Sequence, residues 1–441
     1  MTAPTTPVPA PAPAPRPGPA PLPDPGAARP SLWRHGDFLK LWTGQTVSQC
    51  GTYVTQLALP FVALTAFDAS AAQVGTLTAV QFLPVLLLTV FAGRWVDRRR
   101  RRPLLVGADL VRAVALAAVP LAWWADGLSL GLLCTVAFAV GCCNALFDVA
   151  YLSYLPSLVD RRDLVAANSK LQGSYAVAQV GGPGLGGLLI RFAGAPLALL
   201  IDVASYLVSA VTLLLIRTRE DAPARPRSDE DGGLWRQLGA GFTFILREPA
   251  LRLLTFKGAW FNLCEQALLT VFLVYAVREL GLGAGALGTC IGLGSLGAVL
   301  GTVLARRAGR ALGVARVLVG SMALGCAAPA VILLPDGSDP VSLALITGAF
   351  AVFSIGFTVF NVYFVTLRQT VTPPDRLGRV TAAYRTVAFG TFPLGAWAGG
   401  ALAEQAGLHT ALVVVCAAFA AGWLLFAASS RVLRPLTVSL D

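Results

Sequence analysis

The 441-residue sequence predicts an all-α integral membrane protein with twelve transmembrane helices arranged in two six-helix halves. Apolar residues make up 56% of the chain and charged residues only 13%, a balance typical of polytopic membrane proteins. From Phe38 onward, apolar stretches of about 20 residues recur, and each is long enough to cross a bilayer as a helix. The twelve stretches are centred near Val54, Leu83, Val114, Ala139, Val180, Ser205, Glu265, Leu293, Ala323, Phe353, Thr391 and Ala417.

Loop charges predict the orientation of these helices. Five consecutive arginines, residues 98–102, lie between the second and third apolar stretches. Arginine costs several kcal/mol in hydrocarbon, so this loop lies in water, and basic loops favour the cytoplasmic side. The other basic connections alternate with this loop, whereas the opposite connections carry acidic residues and only Arg191 and Arg278 as cations. We therefore expect a multi-pass cell-membrane protein with both termini cytoplasmic, and the net charge of +11 reflects orientation rather than nucleic-acid binding.

Composition divides the chain into five segments. We predict a disordered Pro-rich cytoplasmic tail at 1–37, an N-terminal half at 38–217, a cytoplasmic linker with an amphipathic helix at 218–249, a C-terminal half at 250–430 and a cytoplasmic tail at 431–441. The Pro-rich tail lacks the apolar region of a secretory signal peptide.

Three motifs resemble those of the major facilitator superfamily. The run Gly93-x-x-x-Asp97-Arg98-x-Arg100-Arg101-Arg102 is similar to the family's loop between helices two and three, with Arg100 where glycine is usual. Gly182-Pro183-x-x-Gly186-Gly187 is similar to the motif of facilitator antiporters. Asp375-Arg376-x-Gly378-Arg379 resembles the exporter branch that includes the enterobactin exporter and macrolide-efflux-like proteins. The resemblance implies transport by alternating access, a gate that includes Gly93, Asp97, Arg98 and Arg101, and a cavity lined by helices one, four, seven and ten.

Polar side chains are frequent on those four helices, so we predict that they line the substrate cavity. The alternative is hydrogen bonding between helices, which contributes about 1 kcal/mol per bond. The residues are Gln45, Gln49, Thr52, Gln56, Asn144, Asn262, Gln266, Thr358 and Asn361, with Phe61, Phe360 and Tyr363 as aromatic contacts.

Charged residues inside the apolar stretches are functional candidates because lipid makes them costly. Glu265 lies near the middle of its predicted span. Desolvation there disfavours the ionised carboxylate, so the carboxyl could bind and release a proton near neutral pH. The alternative is that Glu265 has only a structural role. Asp109, Arg112 and Asp148 lie at the depth of the arginine loop, and we interpret them as a network that closes the cytoplasmic gate. Gly288, Gly292, Gly297 and Gly301 are assigned, with Gly182 and Pro183, to the interface between the halves.

The sequence contains no G-x-x-x-x-G-K-[ST] nucleotide loop and no histidine beside a cysteine pair, so we predict no enzyme, cofactor or metal site. We predict a monomeric secondary transporter that exports a small amphiphilic molecule, such as a drug, siderophore or secondary metabolite, against protons. Such efflux would confer antibiotic resistance. An uptake symporter of the same fold and a non-transporting membrane receptor or scaffold remain alternatives.

The orientation can be tested by cysteine labelling in a cysteine-free background. An impermeant thiol reagent should label Asp126→Cys in intact cells, whereas Arg100→Cys should react only after the membrane is permeabilised. Labelling of Arg100→Cys in intact cells would reverse the predicted topology.

Overall fold

The computed structural model describes residues 32–97, 99–160, 163–218, 220, 234–373 and 376–430. Residues 1–31 and 431–441 of the predicted tails, and residues 219 and 221–233 of the predicted linker, therefore lie outside the described residues. Residues 32–37, which were predicted to belong to the disordered tail, include the 3-10 turn Leu32–Arg34 and the first two residues of α1. Within the described ranges, thirteen α-helices occur: α1 Gly36–Phe67, α2 Ala71–Asp97, α3 Arg101–Trp124, α4 Leu130–Leu158, α5 Leu164–Ala193, α6 Ala195–Leu214, α7 Leu234–Arg247, α8 Pro249–Arg278, α9 Ala284–Leu312, α10 Val314–Ala327, α11 Pro340–Val371, α12 Leu377–Ala406 and α13 Leu408–Ser429.

Twelve of these helices correspond to the predicted transmembrane helices, and each predicted centre lies inside one of them. A 3-10 turn extends α10 to Leu333. Ten are both long and apolar enough to cross a membrane. The other two, α5 and α12, have 30 residues each and are long enough to span. The remaining helix, α7, has 14 residues and coincides with the predicted amphipathic helix.

The two halves repeat one packing pattern, which confirms the predicted two-half fold. In the first half α1 packs on α5 and α6, and α4 packs on α2 and α3. In the second half α8 packs in the same way on α12 and α13, and α11 packs on α9 and α10.

The halves meet where α5 crosses α9 and where α2 crosses α12. A Cβ added to Gly187 would lie against the Ala284 carbonyl and 3.0 Å from the Gly288 Cα atom. A Cβ on Gly75 would lie 3.0 Å from the Gly400 Cα atom. Glycine at these positions therefore lets the helix backbones touch, as small residues do in membrane interfaces.

The prediction for the four glycines of α9 was half wrong. Gly288 and Gly292 do face α5, in the other half. Gly297 and Gly301 instead lie against Ala351 and Ile355 of α11, inside their own half. The i, i+4 spacing identifies a small-residue face but does not identify which neighbouring helix packs on it.

Both crossings lie toward the end of the bundle opposite the α2–α3 connection. Gly187 is in the last two turns of α5, and Gly75 is in the second turn of α2. At the same end, the Arg278 guanidinium donates to the Asp68 carboxylate at 2.6 Å and to the Asp68 carbonyl at 2.8 Å. The two halves are thus joined on the side opposite the arginine loop.

Adding one methyl group at the α5–α9 crossing should separate the halves there. Gly187→Ala should lower the melting temperature of the purified protein, since overpacking a tight contact costs about 1–3 kcal/mol. It should also lengthen the distance between spin labels at residues 192 and 283 in a cysteine-free background. The matched control is Gly181→Ala, on the same helix, where a Cβ meets nothing within 4 Å. Equal melting temperatures and label distances for the two variants would contradict the role of this crossing.

Candidate functional site

Asp148 and Glu265 present carboxyl groups from opposite halves. Asp148 lies on α4 and its side chain is exposed, although the helix is apolar enough to span a membrane. The Arg385 guanidinium of α12, in the other half, attracts the Asp148 carboxylate. Asp148 therefore faces the space between the halves.

Glu265 lies near the middle of α8. It follows Pro249 by 16 residues and precedes Arg278 by 13. At about 1.5 Å per residue it is about 24 Å from one end of the helix and about 20 Å from the other. The residue is half-buried, and among the described residues no side chain forms a hydrogen bond or an ion pair with it. An unpaired carboxylate at this depth is costly when ionised, so its charge responds readily to its surroundings.

The polar stripe of α1 is partly accessible. Gln45, Gln49 and Thr52 are half-buried and Gln56 is exposed. The Oε1 atom of Gln45 is buried and accepts no hydrogen bond from the described residues. Thr52 donates to the Ser48 carbonyl at 3.0 Å, so its hydroxyl is already used within the helix.

Several other predicted cavity residues are engaged with neighbouring helices. Asn144 accepts a hydrogen bond from Arg112 at 2.8 Å, and Asn262 donates to the Ala388 carbonyl at 3.0 Å. Gln266 is buried, Thr358 lies at the contact with Gly301, and Asn361 is exposed.

The predicted aromatic contacts are buried. Phe61 belongs to the apolar core, and Phe360 stacks on Phe364 with ring centroids 6.0 Å apart. Tyr363 donates to the Ala305 carbonyl at 2.8 Å and so stabilises the packing of α11 on α9.

The gate predicted from the arginine loop is described only in part. Gly93 and Asp97 lie in the last two turns of α2, and Arg98 lies outside the described residues. Arg101 begins α3, where its backbone N–H lies 2.8 Å from both carboxylate oxygens of Glu220. Glu220 satisfies an N–H group that has no partner within the helix and places negative charge at the positive end of the helix dipole. Sequence reasoning did not identify this role of Glu220.

The glycine motif of α5 has contacts on two faces. A Cβ on Gly182 or Gly186 would meet Tyr53 or Val54 of α1. The Pro183 carbonyl and Gly187 instead lie against Gly288 of α9. The motif therefore packs α5 between α1 of its own half and α9 of the other half.

Asp109 and Arg112 lie inside the N-terminal half rather than at its surface, with 0% and 4% exposure. They form an ion pair with each other, and the Arg112 guanidinium stacks on Phe147 and Tyr206 with centroid distances of 4.4 and 4.3 Å. A third charged residue, Asp202 of α6, is 0% exposed and is attracted by the same guanidinium. Sequence reasoning missed Asp202, although an acid within an apolar span was a sufficient signal.

Comparison with known proteins identifies the family. The profile of the family described as transmembrane secretion effector, a branch of the major facilitator superfamily, matches residues 29–435. The multidrug efflux pump Tap of Mycolicibacterium fortuitum is 28% identical over 404 residues, which cover 87% of this chain and 93% of Tap.

Solved structures share the fold. A bacterial homologue of the iron transporter ferroportin in its inward-facing state superimposes with a TM-score of 0.71 at 18% identity, covering 91% of this chain and 100% of that chain. A structure of a bacterial ferroportin homologue in the outward-facing state, soaked with iron, gives a TM-score of 0.58 at 20% identity, covering 89% and 99%. With its two six-helix halves and its family match over nearly the whole length, the chain belongs to the transmembrane secretion effector family of major facilitator transporters and is not an enzyme.

Proposed function

We propose that the protein exports a small amphiphilic molecule from the cell in exchange for protons, by alternating access. The observation that carries this proposal is Glu265, a half-buried carboxyl at the middle of α8 with no partner among the described residues. A carboxyl in that position can exist with or without its proton, and each state favours a different environment. Glu265 is therefore the proposed coupling residue.

The arginine-loop side is the proposed cytoplasmic side, which follows from the basic loops. With that orientation, the contacts of Gly187 with Gly288 and of Arg278 with Asp68 close the external side. The cavity then opens to the cytoplasm, where an exporter takes up its substrate. The higher TM-score against the inward-facing ferroportin homologue supports this interpretation.

The proposed gate brings Asp148 of α4 and Arg385 of α12 together when the cytoplasmic side closes. These residues belong to different halves and already attract each other in the present state. The arginine loop and its flanking residues would help to close the same side. These residues include Gly93, Asp97, Arg98 and Arg101. The pairing of Asp148 with a basic residue is the part of the gate that the described side chains support best.

The proposed substrate is amphiphilic because the cavity helices offer neutral amides beside apolar surface. Gln49 and Gln56 are accessible and supply hydrogen-bonding groups without charge, whereas the Oε1 atom of Gln45 is buried. The name of the relative Tap, a multidrug efflux pump, supports export over uptake and a drug-like substrate. Transport as a monomer and a contribution to antibiotic resistance belong to the same proposal.

Coupling is tested by neutralising Glu265 in proteoliposomes loaded with ethidium, tetracycline or erythromycin. Glu265→Gln imitates the protonated form, so an imposed pH gradient should no longer drive uphill transport of a probe that the wild type concentrates. Exchange of probe for probe should persist, because that half-cycle moves no net proton. The measurement is probe flux with and without a pH step.

The matched control is Glu404→Gln, which neutralises an exposed acid at the other end of the bundle from the arginine loop. This variant should retain the wild-type response to the pH step. If Glu265→Gln still concentrates a probe in response to the gradient, Glu265 is a structural residue and the proposed coupling site is wrong.

A further inference from the structure

The buried charges of the N-terminal half do not balance. Asp109 and Asp202 are 0% exposed and Arg112 is 4% exposed, so two carboxyl groups share one guanidinium inside the bundle. If both acids were ionised, the group would carry one net negative charge where water cannot stabilise it. An uncompensated buried charge is expensive, and a buried carboxyl usually takes up a proton instead.

The contacts of the three residues show where that proton would reside. Asp109 forms the ion pair with Arg112, and this pairing stabilises its ionised form. Among the described residues, the hydrogen-bond partners of the Asp202 carboxyl oxygens are hydroxyl groups: Thr55 Oγ1 lies 2.5 Å from Oδ2, and Ser205 Oγ lies 2.7 Å from Oδ1.

The hydrogen bonds of Ser205 also indicate that the proton resides on Asp202. The Ser205 oxygen lies 2.7 Å from Asp202 Oδ1 and also 2.8 Å from the Asp202 carbonyl oxygen. The serine has one hydrogen, and both of these oxygens are acceptors when Asp202 is ionised. When Asp202 is protonated, Oδ1–H donates to Ser205 and Ser205 donates to the carbonyl, so each contact has its own hydrogen.

A chain of hydroxyl groups connects Asp202 to α1. The Tyr206 hydroxyl interacts with the Asp202 carboxyl and lies 3.4 Å from Thr52 Oγ1. Thr52 is half-buried on the helix face that carries Gln45, Gln49 and Gln56. Since Thr52 donates to the Ser48 carbonyl, its oxygen is available to accept from Tyr206.

The charged and titratable groups that face Asp202 are few. The helix α3 contributes Asp109 and Arg112, and α6 itself contributes Tyr206. The charged residues of α1 are Asp37 and Lys40 in its first two turns, and those of α5 are Lys170 and Arg191 near its two ends. On α4, next to α3, Cys143 and Asp148 also interact with Arg112.

We propose that Asp202 binds a proton at neutral pH and exchanges it with the central cavity through Tyr206 and Thr52, as a second proton site besides Glu265. The role of this proton in transport rests on the proposed function, but its presence does not. The exchange requires that the Asp202 proton turn from Ser205 to Tyr206 and that Thr52 turn its hydrogen from the Ser48 carbonyl to water in the cavity. Asp202 then gives its proton to Tyr206 as Tyr206 gives its own to Thr52 and Thr52 gives its own to that water.

Infrared difference spectroscopy of the purified protein detects this proton without any substrate. The wild type at neutral pH should show a carbonyl band of a protonated carboxylic acid that shifts in heavy water. Isotope labelling of aspartate carboxyls should move the band, which separates it from Glu265. Asp202→Asn should abolish the band, whereas the control Asp148→Asn should leave it unchanged. A band that survives Asp202→Asn, or that disappears in Asp109→Asn alone, overturns the assignment.

Two conservative variants keep the test valid if Asp202→Asn does not fold. Ser205→Ala removes one contact to Oδ1 and should shift the aspartate band. Tyr206→Phe should keep the band but slow its exchange in heavy water, because the route to Thr52 is broken. An unshifted band in Ser205→Ala, or unchanged exchange in Tyr206→Phe, contradicts the proposed site.

A transport assay separates this inference from the proposed function. In proteoliposomes with ethidium, tetracycline or erythromycin, Asp202→Asn should reduce the response of wild-type flux to a pH step. If the wild type itself does not respond to the step for any probe it transports, proton coupling fails, whatever the infrared spectra show. If the wild type responds and Asp202→Asn responds equally, the second proton site has no part in coupling.

Discussion

The close approach of helix backbones at two crossings is the constraint on which the rest of the structure depends. In lipid there is no hydrophobic force between helices, so the two halves can associate only by van der Waals contact and hydrogen bonds. The pairs Gly187 with Gly288 and Gly75 with Gly400 supply the contact, and Arg278 with Asp68 supplies hydrogen bonds at the same end. Since the halves are joined at one end of the bundle, a space between them can open only toward the other end.

The same constraint explains the composition of α5 and α12. The α5 helix contains six glycines and α12 contains five, among them Gly187 and Gly400 at the crossings between the halves. Gly182 and Gly186 also pack α5 onto α1, so a displacement of α5 against α9 moves the helix that carries the glutamine stripe. Packing between the halves and exposure of the polar stripe are therefore mechanically linked.

Most of the fold could be predicted from the sequence because length and apolarity determine which segments span a membrane. Tertiary partners could not be predicted in the same way. Gly297 and Gly301 show this, because their spacing indicated a packing face but not that α11 covers it. The i, i+3 pair of Asp109 and Arg112 was recognised, but its position inside the N-terminal half depends on α6, which supplies the third charge. Asp202 is the one acid of α6 and is visible in the sequence, but the sequence does not indicate that it accepts from Thr55 of α1 and lies near Arg112 of α3.

The charged side chains inside the two halves have different surroundings. In the C-terminal half Glu265 has no hydrogen-bond or ion-pair partner among the described residues, so no neighbouring side chain there fixes its charge. In the N-terminal half Arg112 contacts Asp109 and Asn144 and also attracts Asp202 and Asp148. Asp148 is attracted in addition by Arg385 of the other half. Because charges interact strongly where water is scarce, adding or removing one proton at Asp202 would change the net field that Asp109, Arg112 and Asp202 together exert on Asp148. If the proposed gate closes by pairing Asp148 with Arg385, its closing would then depend on the charge stored inside the N-terminal half.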